Sequence, residues 1–160
     1  MLTDSAYRVG EPLFRPWQGV LNGLMGGALM LACVAAFAST SGVSAMASFE
    51  AVGAALGAAE PLTTGLAAHL IVSVCLGVLH AACLGDGVVK GLVGVAMFYA
   101  FVTWIVGGFL TTLTLGEELR PVVRSFPWFF GHVAYAVPLM TASLIAHARR
   151  AGKADVVPVH

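Results

Sequence analysis

The chain has 160 residues, of which 59% are hydrophobic and 10% carry a charge, and its mean hydropathy is +0.90. A soluble domain usually carries about 25% charged residues because its surface faces water, so this composition excludes a soluble enzyme and a disordered chain. Eight Lys and Arg residues balance eight Asp and Glu residues, and without a basic excess nothing indicates nucleic-acid binding. The composition predicts a single integral membrane domain over residues 1–160.

Four long stretches of the chain contain no Asp, Glu, Lys or Arg: 16–49, 61–85, 91–116 and 125–148. A helix needs about 20 apolar residues to cross a hydrocarbon core roughly 30 Å thick. Apolar runs without alternating polar positions are typical of helices rather than of membrane strands. The sequence therefore predicts an all-α integral membrane protein with four transmembrane helices. We expect the spans near residues 17–39, 62–84, 90–115 and 126–148.

The first uncharged stretch is longer than one span requires. Residues 39–42 are Ser, Thr, Ser and Gly, which indicate a helix exit, and residues 43–59 are rich in Ala. We expect a short interfacial helix over 43–59, between spans one and two, with a re-entrant segment as the alternative. Pro61 suits the first turn of the second span.

The distribution of Lys and Arg predicts the orientation of the chain, because cytoplasmic loops carry an excess of these residues. With four spans, both termini lie on one side of the membrane. Six basic residues fall on that side and two on the other, which predicts cytoplasmic termini and places the connections at 40–61 and 116–125 outside. We expect the chain in the inner (plasma) membrane. The six are Arg8, Arg15, Lys90, Arg149, Arg150 and Lys153, and the two are Arg120 and Arg124.

A stripe of glycines lies on one face of the first span, at Gly19, Gly23 and Gly27. Glycines four residues apart let a second helix backbone approach closely, and such packing drives helix association in lipid. The stripe predicts a helix-packing surface, either against a neighbouring span of the same chain or against another subunit.

Apart from Lys90 at the cytoplasmic end of the third, the predicted spans contain no Asp, Glu, Lys or Arg, the usual markers of a proton relay or an ion path. The sequence also lacks the metalloprotease, serine-hydrolase and P-loop motifs. We therefore expect no enzymatic activity, no catalytic residue and no metal-ligating cluster.

Histidines are the remaining candidates for chemistry at membrane depth: His69, His80, His132 and His147. His69 and His132 lie seven or eight residues from the start of spans that run in the same direction, so we expect them at nearly the same depth. One hypothesis is a tetrapyrrole site, with both as axial ligands of a b-type haem or one of them bound to a chlorophyll magnesium. The other is that each histidine hydrogen-bonds a carbonyl or hydroxyl group inside the bundle.

From residue 65 onward, the order of small and polar residues resembles small bacterial inner-membrane proteins typified by YagU. The resemblance implies a compact helical membrane protein and no particular activity. The residues that carry it are His69, Ser73 and Gly77, then Gly91, Gly94 and Trp104, then Gly131, His132 and Tyr135.

These observations lead to one functional expectation and two alternatives. We expect a non-catalytic accessory or structural subunit of a larger, bioenergetic membrane complex, in contact with membrane lipid and with other integral membrane subunits. The first alternative is a haem- or chlorophyll-binding subunit for electron transfer or light harvesting, with His69 and His132 as ligands. The second is a small oligomeric transporter or channel.

Overall fold

The computed structural model describes the backbone of residues 16–41, 44, 46–84 and 92–154. Side chains are described over the same ranges except at 38–41, 83–84, 92–93, 118 and 146–154. The helices in chain order are α1 (Pro16–Ser41), α2 (Ala47–Ala55), α3 (Pro61–Leu84), α4 (Leu92–Leu115), a single 3-10 turn (Glu117–Leu119), α5 (Arg120–Val123) and α6 (Phe126–Ala154).

Within the described residues, four helices are long and apolar enough to cross a membrane: α1, α3, α4 and α6. The predicted all-α fold with four spans is therefore confirmed, and each of the four long helices starts within two residues of the predicted span. The predicted starts of the third span at residue 90 and of the interfacial segment at residue 43 lie outside the described residues, as do the tails 1–15 and 155–160.

Helix α6 continues to Ala154, six residues beyond the predicted end of the fourth span. The prediction stopped at the last uncharged residue, which marks where the apolar stretch ends and not where the helix ends. Ala, Arg and Lys are good helix formers, and they make up most of the additional turns.

A short helix between spans one and two is present as predicted, although α2 occupies only Ala47–Ala55 of the predicted segment. It packs directly on the start of α3 through glycines on both helices. A Cβ atom on Gly53 would overlap the backbone of Pro61, and one on Gly65 would overlap the backbone of Phe49. This close approach holds α2 against α3 and leaves Phe49 with 1% of its surface exposed.

The connection between α4 and α6, predicted at 116–125, consists of the 3-10 turn and α5. Pro121 lies in the first turn of α5, a position that suits its fixed φ angle. Leu119 and Val123 are buried, at 1% and 3% exposure, and the indole Nε1–H of Trp104 donates to the Val123 carbonyl at 2.8 Å. These contacts fold the connection back onto α4.

Helix α1 lies between α3 and α6, and α4 packs on α6. The glycine stripe faces α3 of the same chain. A Cβ atom on Gly19 would lie 2.7 Å from the Cα of Val78, and one on Gly23 would lie 2.5 Å from the Ser73 carbonyl oxygen. Here α1 and α3 are in backbone contact, which only glycine permits.

Small and apolar side chains hold the rest of the bundle together. Met30 and Val34 of α1 pack with Tyr135 and Leu139 of α6 in one buried cluster. Alanines of α4 and α6 form the second buried cluster, which consists of Ala96, Ala100 and Ala136.

Candidate ligand-binding site

Helices α3 and α4 meet near the connection that joins them and are separated by a cleft toward their other ends. At the meeting point, the Tyr99 hydroxyl donates to the Leu76 carbonyl at 2.8 Å, and the Tyr99 ring contacts His80 edge-on at 5.2 Å. Beyond this point lies a cavity of about 300 Å³, lined by both helices, with residues of α1 and α6 behind them and α2 at one end. We call this cavity the α3–α4 cleft.

His69 and His132 both line the α3–α4 cleft, so the structure brings together the two histidines that the sequence singled out. His69 is the ninth residue of α3 and His132 the seventh of α6. At a rise of 1.5 Å per residue, the two positions lie about 12 Å and about 9 Å from the starts of helices that are long and apolar enough to cross a membrane.

Each of these histidines has one ring nitrogen engaged with a backbone carbonyl. The Nε2–H of His69 donates to Gly27 of α1 at 3.1 Å. The Nδ1–H of His132 donates to Trp128, one turn earlier in α6, at 2.8 Å. Since a carbonyl oxygen can only accept, each engaged nitrogen must carry the proton.

The second nitrogen of each ring, Nδ1 of His69 and Nε2 of His132, makes no hydrogen bond to the part of the chain that the structure describes. Among the described residues, no fully buried side-chain nitrogen or oxygen lacks a partner. Each of the two nitrogens therefore keeps some accessible surface, and both rings line the α3–α4 cleft. A pair of unprotonated imidazole nitrogens is thus available to a ligand.

Aromatic rings form a continuous wall beside the histidines. The Phe49 ring contacts His69 edge-on, with centroids 5.2 Å apart, and lies 5.9 Å from the Trp128 ring. Trp128 in turn lies 6.1 Å from His132. Ring centroids 4.5–7 Å apart are the distances at which aromatic groups attract one another, so these rings hold one another in place, and the partly exposed Trp128 is the aromatic surface that the cleft presents.

Sequence reasoning missed the contributions of α2 and α4 to the cleft. Phe49 comes from α2, and four residues of α4 line the opposite side at four-residue intervals: Thr103, Gly107, Thr111 and Leu115. The interval of four was a usable signal, because it places small and polar residues on one face of an otherwise large and apolar helix. The position of Phe49 had no comparable signal, because it depends on the glycine contact between α2 and α3.

The glycine stripe of α1 contacts the residues of α3 that line the site. Gly27 provides the carbonyl that orients His69, and a Cβ atom at Gly27 would lie 2.7 Å from the Ser73 Oγ and 3.6 Å from the His69 Nε2. The packing surface and the candidate site are therefore contiguous.

Of the other two histidines that the sequence singled out, His80 lies outside this site. His80 is 5% exposed and packs on Tyr99, and the side chain of His147 lies outside the described residues. Within the described part of the chain, no three His, Cys, Asp or Glu residues are grouped closely enough to hold a metal ion.

A second cavity, of about 430 Å³, lies beside the turn that follows α4. Its charged groups include the ion pair between Glu117 and Arg120. Their side chains are 68% and 49% exposed, respectively, so water screens them and they form a solvated surface rather than an enclosed site. The smaller α3–α4 cleft is the stronger candidate because its polar atoms lie at membrane depth.

Comparison of the chain with models of protein families, with curated proteins and with solved structures gives no match. The resemblance to the YagU-like proteins stays a prediction, and the function is argued from the site.

Proposed function

We propose that this multi-pass membrane protein binds a lipophilic small molecule in the α3–α4 cleft, with His69 and His132 as its polar contacts. The observation that carries the proposal is that two histidines from different helices line one cavity at membrane depth, each with one ring nitrogen held by a carbonyl and the other unengaged. Unpaired polar atoms in lipid are costly, and a ligand with complementary groups removes that cost.

The composition of the cleft supports a lipophilic ligand that enters from the membrane. Small-molecule sites are mostly apolar cavities with a few polar groups that fix orientation. Here the polar groups are imidazoles and threonine hydroxyls, and the remaining lining is aromatic and aliphatic. Leu56 and Val72 line the cleft and are also 50% and 56% exposed, so the cleft reaches the outer surface of the bundle.

A tetrapyrrole is the second candidate ligand. Metal-ligating histidines commonly donate their other N–H to a carbonyl, and His132 has this arrangement with Nε2 unengaged. His69 offers only Nδ1, because its Nε2 is bonded to Gly27. The volume of about 300 Å³ is at the lower limit of ligand cavities. These features favour a ligand smaller than a macrocycle and argue against ligation of a haem by both histidines.

We further propose that the protein lies in the inner membrane with both termini in the cytoplasm, which the excess of Lys and Arg on that side supports. A Glu117→Cys variant tests the orientation, since Glu117 is 68% exposed in the connection after α4. A membrane-impermeant maleimide should label it in intact spheroplasts above the background of the parent protein. Labelling only after lysis would reverse the orientation.

Membership of a larger membrane complex is compatible with ligand binding and stays a prediction, as does a transporter or channel activity. Helix α4 contacts α6 and the following turn, and its outward side chains form a broad apolar surface. Isolation of the protein in native lipid discs with stoichiometric membrane partners would support the complex. Migration as a lone monomer would count against it.

The ligand-binding proposal is tested by filling the cleft. A Cβ atom on Gly107 would meet nothing within 4 Å, and Gly107 lines the cleft, so a Gly107→Leu side chain should occupy it without disturbing the fold. Gly94 on the same helix is equally open but lies outside the cleft, which makes Gly94→Leu the matched control.

The wild type and both variants are purified in native lipid discs, extracted with solvent, and compared by mass spectrometry and visible absorption. We expect a lipophilic compound at near-stoichiometric amount in the wild type and in Gly94→Leu, and its loss in Gly107→Leu. Equal lipid extracts from all three proteins would refute the proposal. A Soret band in the wild type would favour the tetrapyrrole over a smaller ring.

A further inference from the structure

We propose that the ligand of the α3–α4 cleft is a hydroquinone, whose aromatic hydroxyl groups donate hydrogen bonds to the unengaged nitrogens of His69 and His132. The inference rests on the proposed function and adds the chemical class of the ligand. It follows from the protonation pattern of the two imidazoles, from their depth and from the aromatic wall beside them.

The proton of His69 is located by its partner. The Gly27 carbonyl accepts at 3.1 Å from Nε2, so Nε2 carries the hydrogen. A neutral imidazole has one N–H, and its other nitrogen is then an acceptor. Nδ1 of His69 therefore presents a lone pair.

His132 is fixed in the opposite tautomer. Its Nδ1 lies 2.8 Å from the Trp128 carbonyl, so Nδ1 carries the hydrogen and Nε2 presents the lone pair. Although the two residues use different nitrogens, both offer the cleft an acceptor.

Two acceptors select a ligand with donors. A quinone carbonyl or an ether oxygen would bring lone pairs against lone pairs, whereas the hydroxyl of a hydroquinone donates to one nitrogen and still accepts on its own oxygen. Four hydroxyl groups also line the cleft, on Ser73, Thr103, Thr111 and Tyr135. Tyr135 donates to the Ser73 carbonyl at 2.7 Å, and Thr103 donates to carbonyls of its own helix. The hydroxyls of Ser73 and Thr111 can each donate or accept, so the two histidine nitrogens are the groups that accept and cannot donate.

The depth of the histidines separates a hydroquinone from other hydroxyl-bearing lipids. They lie about 9–12 Å along their helices, below the level of lipid headgroups, so the hydroxyls of a sugar or glycerol headgroup would have to leave the interface to reach them. An aromatic ring enters hydrocarbon readily, and the partly exposed ring of Trp128, which lines the cleft, offers it a stacking surface. A cavity of about 300 Å³ suits one ring with its tail in lipid.

The proposal is tested with the full chain in synthetic lipid discs under anaerobic conditions. The probe is a tritium-labelled benzohydroquinone with a decyl tail, and its specific binding is the difference between the wild type and Gly107→Leu. Unlabelled competitors are the same hydroquinone, the corresponding quinone and the bis-methyl ether. We expect the hydroquinone to compete at a concentration about tenfold or more below that of either competitor, because each of those lacks both donors.

Two other outcomes of the competition experiment would contradict the proposal. Equal competition by the ether or the quinone would overturn the assignment of the histidines as acceptors. Absence of specific hydroquinone binding would overturn the ligand class, while the proposed function would still be decided by the lipophile that extracts with the wild type and not with Gly107→Leu.

Substitutions that keep or remove the relevant atom give a second test. The side chain of Gln carries a polar atom near the position of Nε2, and that of Asn near Nδ1. We expect His132→Gln and His69→Asn to retain most of the affinity, and His132→Phe and His69→Phe to lose about 3- to 10-fold. His80→Gln, outside the cleft, is the matched control and should bind as the wild type does.

Nitrogen-15 spectra of histidine-labelled protein report the tautomers directly, and a general loss of structure would not mimic their response. We expect His69 protonated at Nε2 and His132 at Nδ1, with the signals of the two bare nitrogens shifting when the hydroquinone is added. The opposite tautomers, or no shift at saturation, would overturn the proposal even if all the variants fold.

Discussion

A single methyl group in the contact between α1 and α3 tests how closely the two backbones approach. In Gly23→Ala, the new Cβ atom would lie 2.5 Å from the Ser73 carbonyl oxygen and 2.9 Å from the Cα of Val74. The first distance is 0.9 Å short of the 3.4 Å at which ordinary contact begins. Both neighbours are backbone atoms of a helix and cannot rotate away, so α1 and α3 must move apart.

The expected destabilisation combines two opposing effects. Forcing an additional carbon into a packed contact costs about 1–3 kcal/mol, and replacing Gly by Ala inside a helix returns about 0.5–1 kcal/mol. We expect a net loss of up to about 2.5 kcal/mol in the free energy of unfolding. Gly94→Ala is the control, because its Cβ atom meets nothing within 4 Å. That variant should be unchanged or more stable by up to about 1 kcal/mol.

The assay is reversible unfolding in mixed micelles by increasing fractions of dodecyl sulfate, followed by circular dichroism. The Gly27 carbonyl lies one turn beyond Gly23 on α1, so separation of the helices should also weaken its hydrogen bond to His69. Ligand affinity should then fall together with stability. A Gly23→Ala protein as stable as Gly94→Ala would refute the backbone contact and the support it gives the site.

Three further substitutions test individual contacts by the same unfolding assay. Tyr135→Phe removes a buried hydroxyl that joins α6 to α3 at 2.7 Å and should cost about 0.5–1.5 kcal/mol; unchanged stability would exclude that bond. Trp104→Phe removes the indole hydrogen bond to Val123, 2.8 Å long, with a similar expected loss of about 0.5–1.5 kcal/mol; the structural change should be confined to the connection after α4, which this bond holds against the helix. Glu117→Gln breaks an exposed ion pair and should alter stability by less than about 0.5 kcal/mol; a larger loss would mean that the pair is shielded from water.

The four spans could be predicted because segments that cross a membrane lack charged residues over their whole length. In lipid, a continuous apolar run of 24 to 34 residues must satisfy its own backbone hydrogen bonds, and a helix does this within the segment. The same property explains the error at the end of α6. Charge reports where the hydrocarbon ends, whereas the helix continues through Arg and Lys until its own hydrogen bonding stops.

Part of the candidate site could also be predicted. His69 and His132 lie at similar distances from the starts of helices that run in the same direction. Counting residues along the predicted spans is enough to predict that the two histidines lie at similar depth. Their tautomers depend on which carbonyl each ring meets, and the Gly27 carbonyl belongs to another helix. That contact follows from the register between α1 and α3, which a glycine stripe permits but does not determine.

The weak connection between α3 and α4 has a consequence for how the ligand would exchange. Helix α4 packs on α6 through the small side chains of Ala96, Ala100 and Ala136. Among the described residues, Tyr99 of α4 contacts α3. If α4 tilted about its alanine contact with α6, the opening of the cleft toward the bilayer would widen. Helices α1 and α3, which are in backbone contact through glycines, would keep their positions, and so would His69. The lining of the cleft is thus divided between two pairs of packed helices, α1 with α3 and α4 with α6.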